Sequence, residues 1–367
     1  MRRELLRCVL MLALAVVSLC RPPVVRGVRS VRRGWTRPTV ARAGPAGSNA
    51  AVLLRPTYRR DAGREYVFQL PDTRRARGVL LLAPGCHQRA VDYWDKTEAC
   101  QECIGLPEQK KIARAALRQG LALLAVSPGG KGQSAACWDT RASDIDASTD
   151  LHPTISLLRS WLAEHRLQRL PVFALGSSSG GAFVMHMALR FPFTALCSQI
   201  MAAPARLLQQ EPRDTESGAT WRYPATVFVH MRKDTRTASA VASNMDILYQ
   251  QKVESAEIIV APQPLKPDTL AQRIDGMPVA TSRAVHQAFR EKGLIGKDGM
   301  LVSNPRSSDW RSALVDIRTQ HGLAEDSLQA GRSAIAEELN VLYADHECIA
   351  DHMQQTLDWF ESHVTSS

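Results

Sequence analysis

From about residue 62 onward, apolar and polar positions change their spacing block by block. YVFQL and GVLLLAPG are short β-rich runs with the length of strands, while PEQKKIARAALRQG spaces its apolar residues along one helical face. The alternation continues with the strand LALLAVSP, the helix TISLLRSWLAEHRL, the buried strand PVFALG and the helix GGAFVMHMALRF. Next come a strand-like TALCSQIMA, the strand ATVFVHM, the helix TASAVASNMDILYQQ and a last strand, AEIIVAP. Strands that alternate with helices join through right-handed crossovers into a mainly parallel sheet. The pattern therefore predicts one three-layer α/β domain with its core over residues 62–265, not two domains.

Beyond AEIIVAPQPLKP the pattern changes. Residues 266–340 carry a helix around SRAVHQAFREKG, a hairpin candidate at the Gly- and Asp-Gly-bearing GLIGKDGM, a turn at Asn304-Pro305, and more helix in DSLQAGRSAIAEELNVLY. They read as a mostly helical insertion that packs on the sheet or over its rim, where it could serve as a lid. Residues 341–367 end in the helix HMQQTLDWFESH, whose Met353, Leu357 and Phe360 share a face.

Charge alters this picture only at the start. The chain of 367 residues carries a net +10, but residues 1–60 hold thirteen arginines and one acid, a net +12. The remaining 33 Lys+Arg and 35 Asp+Glu sum to −2, so the basic character belongs to the leader and nucleic-acid binding is set aside. Within residues 1–20, MRRELLR precedes CVLMLALAVVSLC, an apolar run of signal-peptide length and too short for a stable membrane anchor. Residues 21–61 are rich in Arg and Pro and lack apolar periodicity, as disordered or transit segments do. Two readings stand: a signal peptide with a solvated linker, or a two-part leader resembling those of proteins sent to algal plastids of secondary origin. Both take the chain into the secretory pathway.

Six cysteines follow the leader, and Cys86, Cys100, Cys103 and Cys137 cluster in one segment. In an oxidising compartment they are disulfide candidates, with Cys86 or Cys137 expected to join the Cys100/Cys103 pair. One C-x-x-C is a poor match to a tetrahedral zinc site, and no strand leads directly into it as a thioredoxin-like motif requires.

The candidate chemistry lies in LPVFALGSSSGGAFVMH. Only Gly176, Ser178 and Gly180 fit G-x-S-x-G, in the strand-turn-helix context that motif needs. A nucleophile on a sharp turn requires very small neighbours on either side; Gly176 and Gly180 supply them, and Gly181 lets the helix approach the sheet. Acyl chemistry also needs donors for a developing oxyanion. The Ser179 amide, at the positive end of the helix, and the Cys86 amide, after the strand ending in Pro84-Gly85, are the candidates, with His87 as a substitute. Asp234 follows ATVFVHM at a strand's carboxyl end and is the acid candidate, with helix capping as its plain structural alternative. Asp144 and Asp146 precede the serine and break the expected chain order.

Histidine is chosen by elimination. His186 lies on the helix after the elbow, His152, His165 and His363 on helix surfaces, His230 in a strand, and His286 and His321 in the insertion. His346, ahead of the terminal helix, is preferred as base, and His352 is the fallback. No histidine follows AEIIVAPQPL directly, so the whole insertion must fold back to deliver His346, a long detour.

These residues resemble the α/β-hydrolase superfamily over 62–265 and the C-terminal helix. LLAPGCHQRAVDYW resembles the L-H-G-C-x-Q stretch of secreted polyhydroxybutyrate-depolymerase-like and feruloyl-type esterases, with Pro84 in place of their histidine. PGC, DYWD, C-x-x-C-x-GLPE, the Cys137-Trp138 pair, GSSSGGAF and ELN…YADHE are similar to an uncharacterised plant and algal hydrolase-like group, whose pattern supports His346. The resemblance implies a serine esterase acting on a small-molecule ester by acyl transfer, with no metal or organic cofactor. Two rivals remain: a prolyl-oligopeptidase-like peptidase, which normally carries a propeller that the leader is too short to build, and a non-catalytic binding protein on the same fold.

Overall fold

The computed structural model describes residues 52–364, apart from 62, 73–74, 130–136, 141–143 and 330. The signal-peptide and most of the leader assignments lie outside the described residues. Among the described residues, eight strands form one sheet: β1 (Thr57–Asp61), β2 (Arg64–Gln69), β3 (Gly78–Ala83), β4 (Leu121–Val126), β5 (Val172–Ser177), β6 (Ala195–Gln199), β7 (Ala225–Met231) and β8 (Ser255–Val260). Their order across the sheet is β1-β2-β4-β3-β5-β6-β7-β8. Only β1–β2 and β2–β4 pair antiparallel, and β3 through β8 are parallel, as the alternating pattern predicts.

The central strands β3 to β7 are buried throughout or nearly so, and mostly apolar, because both faces are covered. Val79 and Leu81 of β3 enter one core with Leu158 and Trp161 of α2 (Leu151–Glu164) and Phe183 of α3 (Ser179–Met187). Leu80 and Leu82 enter the other with Ile112 of α1 (Pro107–Arg118) and Phe360 of α10 (Met353–Ser362). Between α3 and α10 in sequence come α4 (Ala205–Leu208), α5 (Thr235–Gln250), α6 (Thr269–Arg273), α7 (Val279–Glu291), α8 (Val315–Gln320) and α9 (Ala334–Tyr343).

Two features depart from the sequence reading. Thr57–Asp61, assigned by composition to the leader, forms the edge strand β1, whose half-exposed charged residues hide its period. The hairpin candidate is reduced to one antiparallel bridge, Ile295 with Leu301, turned at Gly299. Residues 266–340 do carry helices, and they build a separate small core in which Leu265, Phe289, Trp310 and Leu339 are buried together.

Candidate active site

Strand β5 ends at Ser177 and α3 begins at Ser179, leaving Ser178 alone at the corner with φ 52° and ψ −121°. That left-handed conformation is strained for a residue with a side chain. It is held by the Ser178 N–H donating to the Gln199 carbonyl at 2.9 Å, and by packing that tolerates no side chain at the flanking glycines. A Cβ at Gly176 would lie 2.7 Å from the Gly181 nitrogen and nearer still to the Gly180 carbonyl. One at Gly180 would meet the backbone of Ala83 and Pro84, and one at Gly181 would meet the Ser198 hydroxyl at 2.6 Å.

The chain brings the three distant side chains together. Ser178 Oγ is 2.9 Å from His346 Nε2, and His346 Nδ1 is 2.6 Å from Asp234 Oδ2. Asp234 precedes α5, and its Oδ1 accepts the Thr237 N–H at 3.0 Å, so it caps the helix with one oxygen and faces the histidine with the other. Burial pushes the Asp234 carboxyl up, but the His346 and Thr237 hydrogen bonds outweigh it and hold the group below its ordinary value. An ionised acid beside Nδ1 fixes the tautomer that leaves Nε2 free to accept from the serine.

The loop after β3 runs beside this corner. A Cβ placed on Gly85 would sit 3.4 Å from the Ser178 Cβ. Gln88 Oε1 accepts the Gly85 N–H at 3.2 Å, and the Gln88 N–H returns to the Gly85 carbonyl at 3.1 Å. His87, between them, has φ 63°. Trp138 Nε1 donates to the Pro84 carbonyl at 2.8 Å, and its ring stacks on Phe183 of α3 with centroids 3.9 Å apart. The Ser179 amide is the first of α3, where the helical ladder supplies no acceptor.

The disulfides differ from the pairing expected. Cys86 joins Cys137, and Cys100 joins its near neighbour Cys103. The first ties the Pro84–Gln88 loop to the segment bearing Trp138; the second closes a turn whose cysteines are buried while Gln101 and Glu102 between them are exposed. Spacing alone could not separate these pairings, because four clustered cysteines allow three of them. Among the described residues no three His, Cys, Asp or Glu side chains converge as a metal site would need.

The remaining candidates stay apart. His352 shares a 2.8 Å hydrogen bond with Gln355 at the start of α10 and does not reach the serine. His230 faces Glu257, and Asp146 is paired with Arg190 at 2.8 Å. His186 is buried, lining a small cavity with Asp139, Ile145 and Ser148, and burial pushes it down to about 4.

Sequence reasoning missed the groups that hold the histidine loop. Asn304 Nδ2 donates to Asp345 at 2.7 Å, Arg306 donates to the His346 carbonyl and to Glu347 at 2.8 Å, and Asn340 Nδ2 reaches Glu347 at 3.0 Å. The buried Glu108 of α1 accepts the Ala350 N–H at 2.7 Å. No motif marks these residues; only the Asn304-Pro305 turn gave a local sign.

No protein-family model matches this chain, and no curated protein does. Among solved structures, it is similar to an acetyl xylan esterase from Aspergillus awamori at 13% identity and TM-score 0.41, over 53% of this chain and 80% of that one. A carboxylesterase from Mesorhizobium loti matches at 16% identity and TM-score 0.39, over 56% and 90%. A thermostable esterase matches at 14% identity and TM-score 0.40, over 57% of this chain but only 55% of its own length. Likenesses this distant concern the fold and carry no argument about the reaction. Sheet order, elbow and chain order together make this an α/β-hydrolase fold.

Proposed function

We propose that the protein is a serine hydrolase acting on carboxylic esters through an acyl-enzyme. Ser178 attacks the ester carbonyl while His346 takes its proton and Asp234 holds the imidazole. The Ser179 and Cys86 amides receive the oxyanion of the tetrahedral intermediate, and His346 returns the proton to the departing alcohol. Water, deprotonated by the same histidine, then attacks the acyl group and releases the acid and the free serine.

The observation that carries this reading is the unbroken relay of 2.9 Å and 2.6 Å from Ser178 through His346 to Asp234, on a corner with strained backbone. A hydroxyl in an ordinary Ser/Gly turn needs neither partner. The substrate is a small-molecule ester rather than nucleic acid, since the charge beyond residue 60 is close to balanced. The likeness of the Gly85-Cys86 loop to polyhydroxybutyrate-depolymerase-like and feruloyl-type esterases makes those esters the first to try. Two disulfides fit passage through an oxidising compartment, with the leader directing the chain into the secretory pathway, to the cell exterior or an algal plastid.

The test is covalent labelling by a fluorophosphonate. Wild-type protein should label and Ser178→Ala should not; a folded, oxidised wild type that stays unlabelled defeats the proposal and favours a binding protein. Hydrolysis of short-chain aryl esters in preference to peptidyl amides then separates esterase from peptidase.

A further inference from the structure

Gln199 stands where the serine corner and the histidine loop come closest through the core. It is the last residue of β6, paired with Ser177 of β5 on one side and Val229 of β7 on the other, and it is 1% exposed. Its carbonyl accepts the Ser178 N–H at 2.9 Å. Its side-chain amide grips Ile349, three residues past His346, from both directions. Nε2 donates to the Ile349 carbonyl at 2.8 Å, and the Ile349 N–H donates to Oε1 at 3.0 Å. The backbone supplies one donor and one acceptor here, so the amide's orientation is fixed and both its polar ends are used. A polar side chain inside a central parallel strand is costly unless fully paired.

Resting on the serine-hydrolase reading, we infer that Gln199 is the positioning residue that sets the contact between Ser178 and His346. One residue thus holds the nucleophile by its main chain and the loop of the base by its side chain. Three other ties on the loop join it to different elements. Asn304 and Arg306 reach it from the insertion, with Arg306 48% exposed, and Glu108 reaches it from α1. None of those touches the elbow. Gln199 therefore couples the two halves of the relay through a strand paired with neighbours on both sides.

Fluorophosphonate labelling, ester kinetics and thermal melts of Gln199→Met, which keeps the volume and removes both hydrogen bonds, test this on the full chain. Labelling and kcat should fall about 100-fold, with KM within about threefold of wild type, as a displacement of the base on the order of 1 Å demands. Asn244→Leu is the matched control. Asn244 clamps Ala203 with the same two-sided amide, donating at 2.8 Å and accepting at 2.8 Å. It should lower the melting temperature comparably yet label within about twofold of wild type, because neither clamped residue belongs to the relay. Should Gln199→Met fail to fold, Gln199→Asn retains the amide one methylene short and should still label about tenfold slower. Wild-type labelling with either folded Gln199 variant reacting at the same rate overturns the inference and leaves the hydrolase reading intact. A wild type that does not label defeats that reading first.

Discussion

Replacing Gly180 by alanine separates a serine presented by backbone packing from one merely lying in a glycine-rich turn. The added carbon would lie 2.5 Å from the Pro84 carbonyl oxygen and nearer still to that of Ala83, where ordinary contact begins at 3.4 Å. Ala83 ends a strand paired on both sides, by β4 and β5, so its backbone cannot swing aside as a side chain would. The elbow must retreat by about 1 Å, which opens the gap between the Ser179 amide and the Pro84–Gln88 loop and costs about 100-fold in rate. Overpacking of the joint costs a further ~1–3 kcal/mol of stability. Gly181→Ala is the internal comparison. Its carbon meets Ser198 Oγ at 2.6 Å, Met201 Cβ at 3.1 Å and the Gln199 carbonyl oxygen at 3.2 Å, so only the first is closer than 3.0 Å. The hydroxyl can rotate away, losing its 2.9 Å bond to the Met201 carbonyl, worth about 1 kcal/mol. Time courses of fluorophosphonate labelling should find Gly180→Ala slowed about 100-fold and Gly181→Ala by less than about tenfold. A Gly180→Ala protein that folds and labels at the wild-type rate refutes the packing account of the elbow.

Three further outcomes follow from other parts of the molecule. Removing the Cys86–Cys137 bridge, which closes a separation of 51 residues, should cost up to about 4 kcal/mol by loop entropy; it should also slow labelling more than removing Cys100–Cys103 does, and equal rates in the two double Ala variants would argue against a role for the loop. Asp92 is 3% exposed and burial raises its carboxyl from 3.8 to about 7, so the folded state holds the proton more tightly and stability falls as pH rises from about 4 to 7. Asp92→Asn, which cannot ionise, should gain up to about 4 kcal/mol on wild type across that window, and denaturant midpoints whose difference is the same at pH 5 and 8 (about two units below and one above) would contradict a neutral buried acid. Asp150, fully buried, pairs with the buried Arg64 and accepts the Gly129 and Asp139 N–H groups at 2.9 and 2.8 Å; Asp150→Ala should cost about 3–5 kcal/mol in urea unfolding, a loss that a near-neutral result would exclude.

What could be read from the residues depended on whether the physics involved was local. The order of strands and helices was legible because spacing of apolar positions reports burial on one or two faces, and β3 to β7 are buried throughout or nearly so. The elbow was legible because the steric demand falls on residues two positions away. Asp234 was legible from its place after β7, although capping and facing His346 turned out to be simultaneous rather than competing tasks. β1 was not, because TYRRD has charges where an edge strand meets solvent and so carries no alternating signal. The disulfide pairing was not, because loop geometry, not separation along the chain, decides it. Gln199 was least legible of all: no motif marks it within the strand-like TALCSQIMA, and only the arrival of Ile349 from 150 residues away gives it partners.

The detour before His346 is the largest departure from an ordinary connection, and its physical cost is small for two reasons. Closing a long loop costs only logarithmically more than closing a short one. The residues between β8 and His346 are also not a bare loop, since Leu270, Phe289, Trp310 and Leu339 bury one another in a core of their own. That unit is fastened to the main domain by ions as well as by packing. Glu338 of α9 meets Lys111 of α1 at 2.9 Å and also pairs with Arg273 of α6, which reaches Glu108 at 3.1 Å. Burial and the neighbouring Glu108 push Glu338 up to about 8, with Arg273 and Lys111 pulling against them, so the cluster depends on both cations. Glu108 then passes the constraint to the Ala350 N–H, while Asn304 and Arg306 pass it to residues 345–347. An insertion built this way fixes the far end of the relay as firmly as a short loop would. Its lesions should therefore lower the rate through the base, leaving the serine corner itself intact.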